Sequence, residues 1–523
     1  MDEWKYLILR PETASISDLW KFWRNDDYLS GSKFIQINLN NNNNNNNTIT
    51  NIITITNNNI TITNNSSNYY EGFNEDYRGL FEGGKDHRWV IVVSVIMMKL
   101  LRLFSKPLKW FGYLVDFLLN LFILNGDFLG FVFNLLQGKL ILPQRETSTF
   151  ISAIGHLDGR INLYETDRFE GRIMMRNKSL MDLCIMASKL AYENVVLVKE
   201  VVVNSWKMHF VDFYNGWNEY HQQRSTQVFI FCDKPVDANL IIISFRGTEP
   251  FDTNDWSTDF DYSWYEIPGV GKIHLGFLEA LGLGNRNDTK TFQQNLQVND
   301  VSAVDQISSS DMGQLTAYHA VRTKLKELLA ENSSAKFVVT GHSLGGALAI
   351  LFPIVLVLHG ETEMLRRLFG VYTFGQPRIG DRELGRFMKA HLCEPEARYF
   401  RVVYCNDGVP RIPYDDKTFL YKHFGECLYY NSFYSEQKVD EKPNKNLLGL
   451  RYLIPAYMNA VWELIRGLTM HYMHGLDFKE NWVSILVRIV GLALPGLSAH
   501  SPRDYVNSVR LGAQHSLHMS PLE

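Results

Sequence analysis

The chain has few cysteines and no excess of positive charge. Its 523 residues include 5 cysteines, an odd number without C-x-x-C spacing, which indicates a reducing compartment and no metal site. The formal net charge of -4 argues against a clustered basic surface, so we expect no nucleic-acid partner. The first thirty residues lack the basic start and apolar core of a secretory signal, so we expect the protein to face the cytosol.

A clean membrane-spanning run is also missing. Crossing a bilayer takes about 20 consecutive apolar residues, and charges interrupt the long apolar segment, residues 89–143. At about 100° per residue, several polar residues of this segment share a narrow arc. They are Lys109, Asp116, Asn120, Asp127 and Asn134.

This polar stripe predicts a helix, broken at Asn125-Gly126, that lies in a membrane or lipid-monolayer interface with its basic residues near headgroups. The alternative is a helical hairpin packed on the catalytic domain with the stripe facing water. The region before it, residues 1–88, is mostly polar and contains an Asn/Thr/Ile tract at 38–67. Because such a tract cannot bury a core, we predict a disordered insertion there.

The chemistry of the chain centres on residues 336–360. An apolar β-branched run is followed by G-H-S-L-G, from Gly341 to Gly345, and then by an apolar segment of helical composition. This strand, turn and helix form a nucleophile elbow, in which the two glycines let the backbones approach closely. Ser343 is the predicted nucleophile, and the Leu344 amide is a predicted oxyanion donor.

A serine nucleophile needs a histidine base and a carboxylate that orients it. In this fold class both follow the serine along the chain. Asp407 comes directly after an apolar strand and is the favoured acid, with Asp381, Asp415 and Asp416 as weaker alternatives. The residues alone leave the histidine open among His423, His471, His474, His500, His515 and His518, with a modest preference for the loop residue His500.

The stretch IIISFRGTEP supplies the second oxyanion donor. Gly247 permits a sharp exit from the strand, and Thr248 offers a backbone amide and a hydroxyl. A short helix after it is a candidate lid, which would bury Trp256 when closed and present it to lipid when open. The alternative is a surface loop whose tryptophan packs down.

Strands alternate with helices from about residue 179, which predicts an α/β-hydrolase fold with a mostly parallel central sheet preceded by an apolar helical region. We assign residues 144–523 to this domain, with a helical insertion at about 435–497. The composition of that insertion leaves open whether it packs on the sheet or adds a second lipid-facing surface.

Four ordered motifs, SFRGT, GHSLGGALA, YTFGQPRIGD and YCNDGVPRIPYDD, resemble the class 3 lipases, which include fungal-type triacylglycerol lipases and their plant relatives. The similarity covers roughly residues 179–509. YKHFGECLYYNSFY and HSPRDYVNSVRLG are similar to the plant oil-body-associated members. The resemblance implies Ser343, Asp407 and His500 as the triad, with Thr248 and Leu344 at the oxyanion and Trp256 in the lid.

The resemblance also implies hydrolysis of long-chain acylglycerols at a lipid-droplet (oil-body) or membrane surface, without metal or organic cofactor. One alternative keeps the triad and changes the substrate, as in a phospholipase A1 or galactolipase. Another is a lipid-droplet coat protein with a vestigial site, which the complete set of site residues disfavours. The stretch between Asp407 and His500 is longer than in the compact fungal enzymes, so the resemblance does not give the geometry of the lid and acyl pocket.

Overall fold

The computed structural model describes most of the chain in ten stretches. These are residues 4–24, 28–38, 55–56, 59–60, 88–164, 178–297, 315–392, 396–415, 421–439 and 453–512. Most of the tract at 38–67, for which disorder is predicted, lies outside them.

The described residues form sixteen strands. They are β1 Tyr6–Leu9, β2 Ile35–Asn38, β3 Ile55–Thr56, β4 Asn59–Ile60, β5 His209–Asn218, β6 Gln223–Cys232, β7 Leu240–Phe245, β8 Trp264–Ile267, β9 Gly271–His274, β10 Lys336–His342, β11 Leu368–Phe374, β12 Gly380–Asp381, β13 Tyr399–Tyr404, β14 Tyr421–Lys422, β15 Glu426–Tyr430 and β16 Glu436–Val439.

Eight strands build the central sheet, in the order β16-β15-β13-β11-β10-β7-β6-β5. The five strands from β15 to β7 are parallel to their neighbours, whereas β16, β6 and β5 pair antiparallel at the two edges. The predicted α/β class is confirmed, and the sheet is mixed with a parallel centre. Side chains that follow parallel strands therefore meet at one edge, the edge at which the strands end.

The described helices are Ile16–Arg24, Tyr28–Gly31, Arg88–Leu124, Asp127–Leu136, Lys178–Leu190, Val195–Glu200, Thr253–Phe260, Leu275–Leu281, Lys290–Leu296, Ala317–Glu331, Leu344–Leu358, Thr362–Arg366, Arg382–Leu392, Leu453–His474, Trp482–Gly491, Pro495–Ser498 and Pro502–Leu511. We call Arg88–Leu124 the long apolar helix and Leu344–Leu358 the elbow helix.

The central strand β10 is buried on both faces of the sheet. Phe337 and Val339 pack in the core that contains the elbow helix, while Val338 packs in a second core with the helix Lys178–Leu190. Alternate side chains of a strand point to opposite faces, so an unbroken apolar run is what a doubly covered parallel strand requires.

The N-terminal residues complete a smaller antiparallel sheet, in the order β14-β12-β9-β8-β1-β2. Strand β1 pairs with β8, with Tyr6 opposite Tyr265. A third core joins Leu7 and Phe22 of this region to Val90 and Val95 at the start of the long apolar helix. The beginning of that helix is thereby fixed to the smaller sheet.

The long apolar helix runs for 37 residues and ends just before Asn125-Gly126, where the chain turns with Gly126 at a φ of 81°. Part of the predicted polar stripe faces protein. The Asn120 amide donates to the carbonyl oxygen of Ile151 (2.8 Å) and its oxygen accepts from the Ile151 amide (2.9 Å). Within the described stretches, no helix has both the length and the apolar character needed to cross a membrane.

Gly345 lies where the elbow helix passes over the end of β7. A Cβ at this position would collide with the Phe245 carbonyl oxygen and the Arg246 backbone, neither of which can turn away. We expect Gly345→Ala to lower the free energy of unfolding by about 1–3 kcal/mol, as measured by thermal denaturation. Gly159→Ala is the control because a Cβ there meets no atom within 4 Å; equal stability of both variants would contradict the packing argument.

Candidate active site

Ser343 stands at the turn between β10 and the elbow helix. Its φ of 59° and ψ of -131° lie in a region that non-glycine residues rarely adopt. The Ser343 amide donates to the Phe374 carbonyl oxygen of the neighbouring strand β11 at 2.8 Å. A Cβ at Gly341 would collide with the Gly345 carbonyl oxygen, so this turn closes only with glycine at both positions.

The structure brings Ser343, Asp407 and His500 together. The Nε2 atom of His500 lies 2.8 Å from Ser343 Oγ, and its Nδ1 atom lies 2.8 Å from Asp407 Oδ2. Asp407 follows β13, as expected, and His500 follows the short helix Pro495–Ser498. With Nδ1 protonated toward the carboxylate, Nε2 can accept the serine proton, which is the arrangement that activates a hydroxyl.

Three of the alternative acids and bases have polar partners elsewhere in the described residues. Asp381 accepts the amides of Glu383 and Leu384 at the start of a helix, Asp415 pairs with Lys422, and His423 Nε2 contacts the Pro410 carbonyl oxygen. His471 and His474 lie on the helix Leu453–His474. Asp416, His515 and His518 lie outside the described residues. No group of described His, Cys, Asp or Glu residues could hold a metal ion.

The Asp407 carboxylate is fully buried and is held by two donors besides the histidine. The Tyr505 hydroxyl donates to Oδ2, and the Val409 amide donates to Oδ1 at 2.9 Å. Donors on both oxygens compensate a buried charge for its lost hydration and fix its direction. Sequence reasoning missed Tyr505, although its place five residues after His500 within HSPRDYV was a usable signal.

His342 supports His500 from behind. Its Nε2 atom lies 3.0 Å from the His500 carbonyl oxygen and its Nδ1 atom lies 2.9 Å from the Tyr192 hydroxyl, while the two imidazole rings stack with centroids 4.5 Å apart. Burial lowers the pKa of His342 well below its ordinary value. A neutral ring that donates from Nε2 and accepts at Nδ1 satisfies both contacts.

Gly375 closes the site from the end of β11, with a φ of +62°. A Cβ there would lie 2.9 Å from Asp407 Oδ2, from His500 Cε1 and from the Tyr505 hydroxyl. Any side chain would press on the contacts that orient the imidazole, so this position also requires glycine.

The predicted oxyanion donors lie on either side of the elbow. No hydrogen bond within the described residues uses the backbone amides of Thr248 or Leu344, so both are available to a substrate oxygen. The Thr248 hydroxyl donates to Asp259 Oδ2 at 2.7 Å. Asp259 is buried, and burial raises its pKa to about 7. This carboxyl, which the sequence did not single out, fixes the threonine side chain.

Trp256 lies on the helix Thr253–Phe260, directly after the Thr248 loop. Its indole Nε1 donates to the Pro250 carbonyl oxygen at 3.0 Å. The long apolar helix packs along this helix, with the Ser94 hydroxyl donating to the Phe260 carbonyl oxygen at 2.6 Å and Phe111 against Phe251. Ser343 is only 3% exposed in this conformation. A lid role for Trp256 remains a prediction.

Comparison with known proteins identifies the family. The model of the lipase (class 3) family matches residues 242–417. Triacylglycerol lipase OBL1 of Arabidopsis thaliana is 53% identical over 532 residues, covering 99% of this chain and 96% of that protein. The chain belongs to the class 3 lipase family. Triacylglycerol lipase OBL1 of Nicotiana tabacum is 56% identical over 487 residues, 83% of this chain and 85% of the relative.

Membership makes this class 3 lipase a serine ester hydrolase. Among solved structures, the Rhizomucor miehei lipase propeptide complex shares 22% identity, with a TM-score of 0.31, over 46% of this chain and 64% of that one.

The Tyr505 hydroxyl is expected to matter for turnover. Removing it in Tyr505→Phe takes a charge-assisted hydrogen bond from buried Asp407, which is commonly a contribution of about 1.5–3 kcal/mol. We expect this lipase variant to lose about tenfold or more in kcat on a soluble short-chain ester, with KM little changed. Tyr434→Phe is a matched control, since the Tyr434 hydroxyl donates to a different buried carboxylate, Asp504 (2.7 Å); an equal loss of kcat in both would exclude a specific role for Tyr505.

Asp259 is expected to make stability depend on pH. Because its pKa rises from 3.8 to about 7 on folding, the folded lipase binds a proton more tightly than the unfolded chain. This contribution to stability is complete below about pH 4 and is lost as pH rises through 7. Asp259→Asn cannot ionise, so its melting temperature relative to wild type should climb between pH 4 and 8. A difference in melting temperature that does not change with pH would contradict this assignment.

Proposed function

We propose that the chain hydrolyses triacylglycerol with Ser343 as nucleophile, His500 as general base and acid, and Asp407 as the orienting carboxylate. The observation that carries this proposal is the pair of 2.8 Å contacts that His500 makes with Ser343 and Asp407. The same geometry serves any carboxylic ester, so the substrate class rests on family membership and on the apolar surface beside the site.

In the proposed reaction, Ser343 Oγ attacks the ester carbonyl while His500 takes the hydroxyl proton. The oxygen of the tetrahedral intermediate is bound by the amides of Leu344 and Thr248, each contributing about 3 kcal/mol to the transition state. His500 returns the proton to the departing glyceryl oxygen, which leaves diacylglycerol and an acyl-serine. Water, deprotonated by His500, then releases the fatty acid.

The lipid surface is proposed to meet the protein at an anchor surface, which we define as the exposed apolar residues of the helices Arg88–Leu124 and Asp127–Leu136. Trp110 is 74% exposed and Leu129 is 82% exposed, although their neighbours Asn120 and Asn125 bond inward. Most of the exposed residues of these helices are apolar, and Asn120 and Asn125 bond to protein, as a lipid environment favours. Four basic residues, Lys99, Arg102, Lys106 and Lys109, lie in the middle of the first helix.

We therefore assign residues 89–143 as a lipid-associating segment and 144–523 as the catalytic domain with its insertion at 435–497. The location we propose is the surface of a lipid droplet or oil body, facing the cytosol. Since the long apolar helix packs on Thr253–Phe260, insertion of the anchor surface into lipid and opening of the Trp256 helix would move together.

The decisive experiment is fatty-acid release from emulsified triolein by the purified full chain over a range of interface area. We expect release to rise with interface area and Ser343→Ala to reduce it at least about a thousandfold. Undiminished release from Ser343→Ala would overturn the proposed nucleophile.

Two further outcomes change the substrate or the class. Serine-dependent cleavage of phosphatidylcholine or of a soluble ester, without triolein release, would keep the triad and overturn the triacylglycerol assignment. No esterase activity on any of these substrates would favour the coat-protein alternative.

A further inference from the structure

Two helices between Asp407 and His500 bury their charged residues and expose their apolar residues. The helix Leu453–His474 contains two charged residues, Glu463 and Arg466, and both are buried. Its outer side carries Ile454 (74% exposed) and Met458 (68% exposed). In a water-soluble protein the charged face of such a helix points outward, so water is not the medium that this outer face fits.

The next helix, Trp482–Gly491, repeats the pattern. Its one charged residue, Arg488, is 3% exposed and bonds with Glu480 (2.7 Å) and Asp504 (2.9 Å), while Leu486 and Ile489 are exposed. From 453 to 497 the only exposed charged residues are Asp477 and Lys479. We call the outward apolar residues of these two helices, together with Leu494 and Leu497, the insertion surface.

The buried charges fix which way these helices face. Arg466 Nη2 lies 3.1 Å from Asp504 Oδ1, and Glu463 accepts the Tyr404 hydroxyl at 3.0 Å. Rolling the first helix to bury its apolar side would break these contacts and leave charges unpaired, which is strongly destabilising. The insertion surface therefore stays outward whatever surrounds it.

A fluid lipid surface fits this face better than a second protein does. Protein interfaces use charged groups at their rims to fix register, and the exposed charged groups on the described part of this face are limited to Asp477 and Lys479. Its large aromatic residues, Tyr457, Trp462, Tyr472 and Trp482, are of the types enriched where protein meets the edge of a lipid layer.

The insertion surface adjoins the acid and histidine of the site. The His500 amide donates to the Leu497 carbonyl oxygen at 3.1 Å, and the Gly408 amide donates to the Gly496 carbonyl oxygen at 3.3 Å. The anchor surface adjoins the Thr248 side of the site. There Phe111 contacts Phe251, which lies in the loop after Thr248. The two apolar surfaces thus flank the triad.

We propose that the insertion surface is a second lipid-docking site, which binds the same lipid surface as the anchor surface and holds the His500 side of the active site against it. This inference rests on the proposed function for its consequence in catalysis, but lipid binding itself can be tested without it. Docking at two surfaces on either side of the triad directs the mouth of the site toward the lipid, where docking at one would leave the molecule free to tilt.

The test compares a triple variant, Met458→Glu with Ile465→Glu and Leu468→Glu, against Val203→Glu with Val236→Glu, which charges exposed valines outside both surfaces. The full chain is mixed with phospholipid-coated triolein droplets and floated, and release of fatty acid is measured at limiting interface area. Cleavage of soluble p-nitrophenyl butyrate reports whether the fold and triad are intact.

We expect the triple variant to lose at least tenfold in triolein release and most of its flotation while keeping soluble-ester cleavage within twofold, and the valine variant to match wild type. Ile489→Glu, on the other helix, should act in the same direction and serves if the triple variant does not fold. If the triple variant and Ile489→Glu both float and release fatty acid from triolein as wild type does, the inference is wrong.

Two other outcomes would be distinguishable from these. If wild type is a dimer by light scattering and the triple variant is a monomer that still floats, the surface binds a second copy and the inference is wrong. If wild type floats but releases nothing from triolein, the proposed function fails, and loss of flotation in the variants still supports the second lipid site.

Discussion

Close backbone packing around the elbow is the constraint on which the site depends. Three glycines, Gly341, Gly345 and Gly375, lie where two backbones or a backbone and the triad approach too closely for any side chain. The approach places Ser343 at the end of β10, with Asp407 beyond the end of β13 and Thr248 beyond the end of β7. Parallel pairing from β7 to β13 brings these strand ends to one edge. The order and direction of the strands therefore determine which residues meet at the site.

The sequence predicted what is encoded locally. The elbow could be recognised because its strand, turn and helix are contiguous, and Asp407 because it directly follows a strand. His500 could not be chosen from the residues alone, since it meets Asp407 across 93 positions of sequence and no short-range pattern separates it from five other histidines. Its choice came from the family resemblance, and the structure places it against both partners.

The contacts that support the triad could not be predicted for a similar reason, although the place of Tyr505 within HSPRDYV was a usable signal. Tyr505, His342 and Asp259 carry ordinary side chains at ordinary motif positions, and only tertiary packing shows which groups they contact. The pairing of β1 with β8 joins residues about 260 positions apart, which no periodicity predicts. The polar stripe of the long apolar helix was recognised, but its direction depended on the Ile151 segment packing beside Asn120.

The long apolar helix has a consequence that follows from its length. At about 1.5 Å per residue, 37 residues extend for about 55 Å, and its first turns are fixed in the core with Leu7 and Phe22. It is also held farther along, where Phe111 contacts Phe251 and Asn120 bonds to Ile151. Its length therefore sets a fixed spacing between Ser343 and the far end of the helix, so any surface that holds the far end also determines the height of Ser343 above that surface.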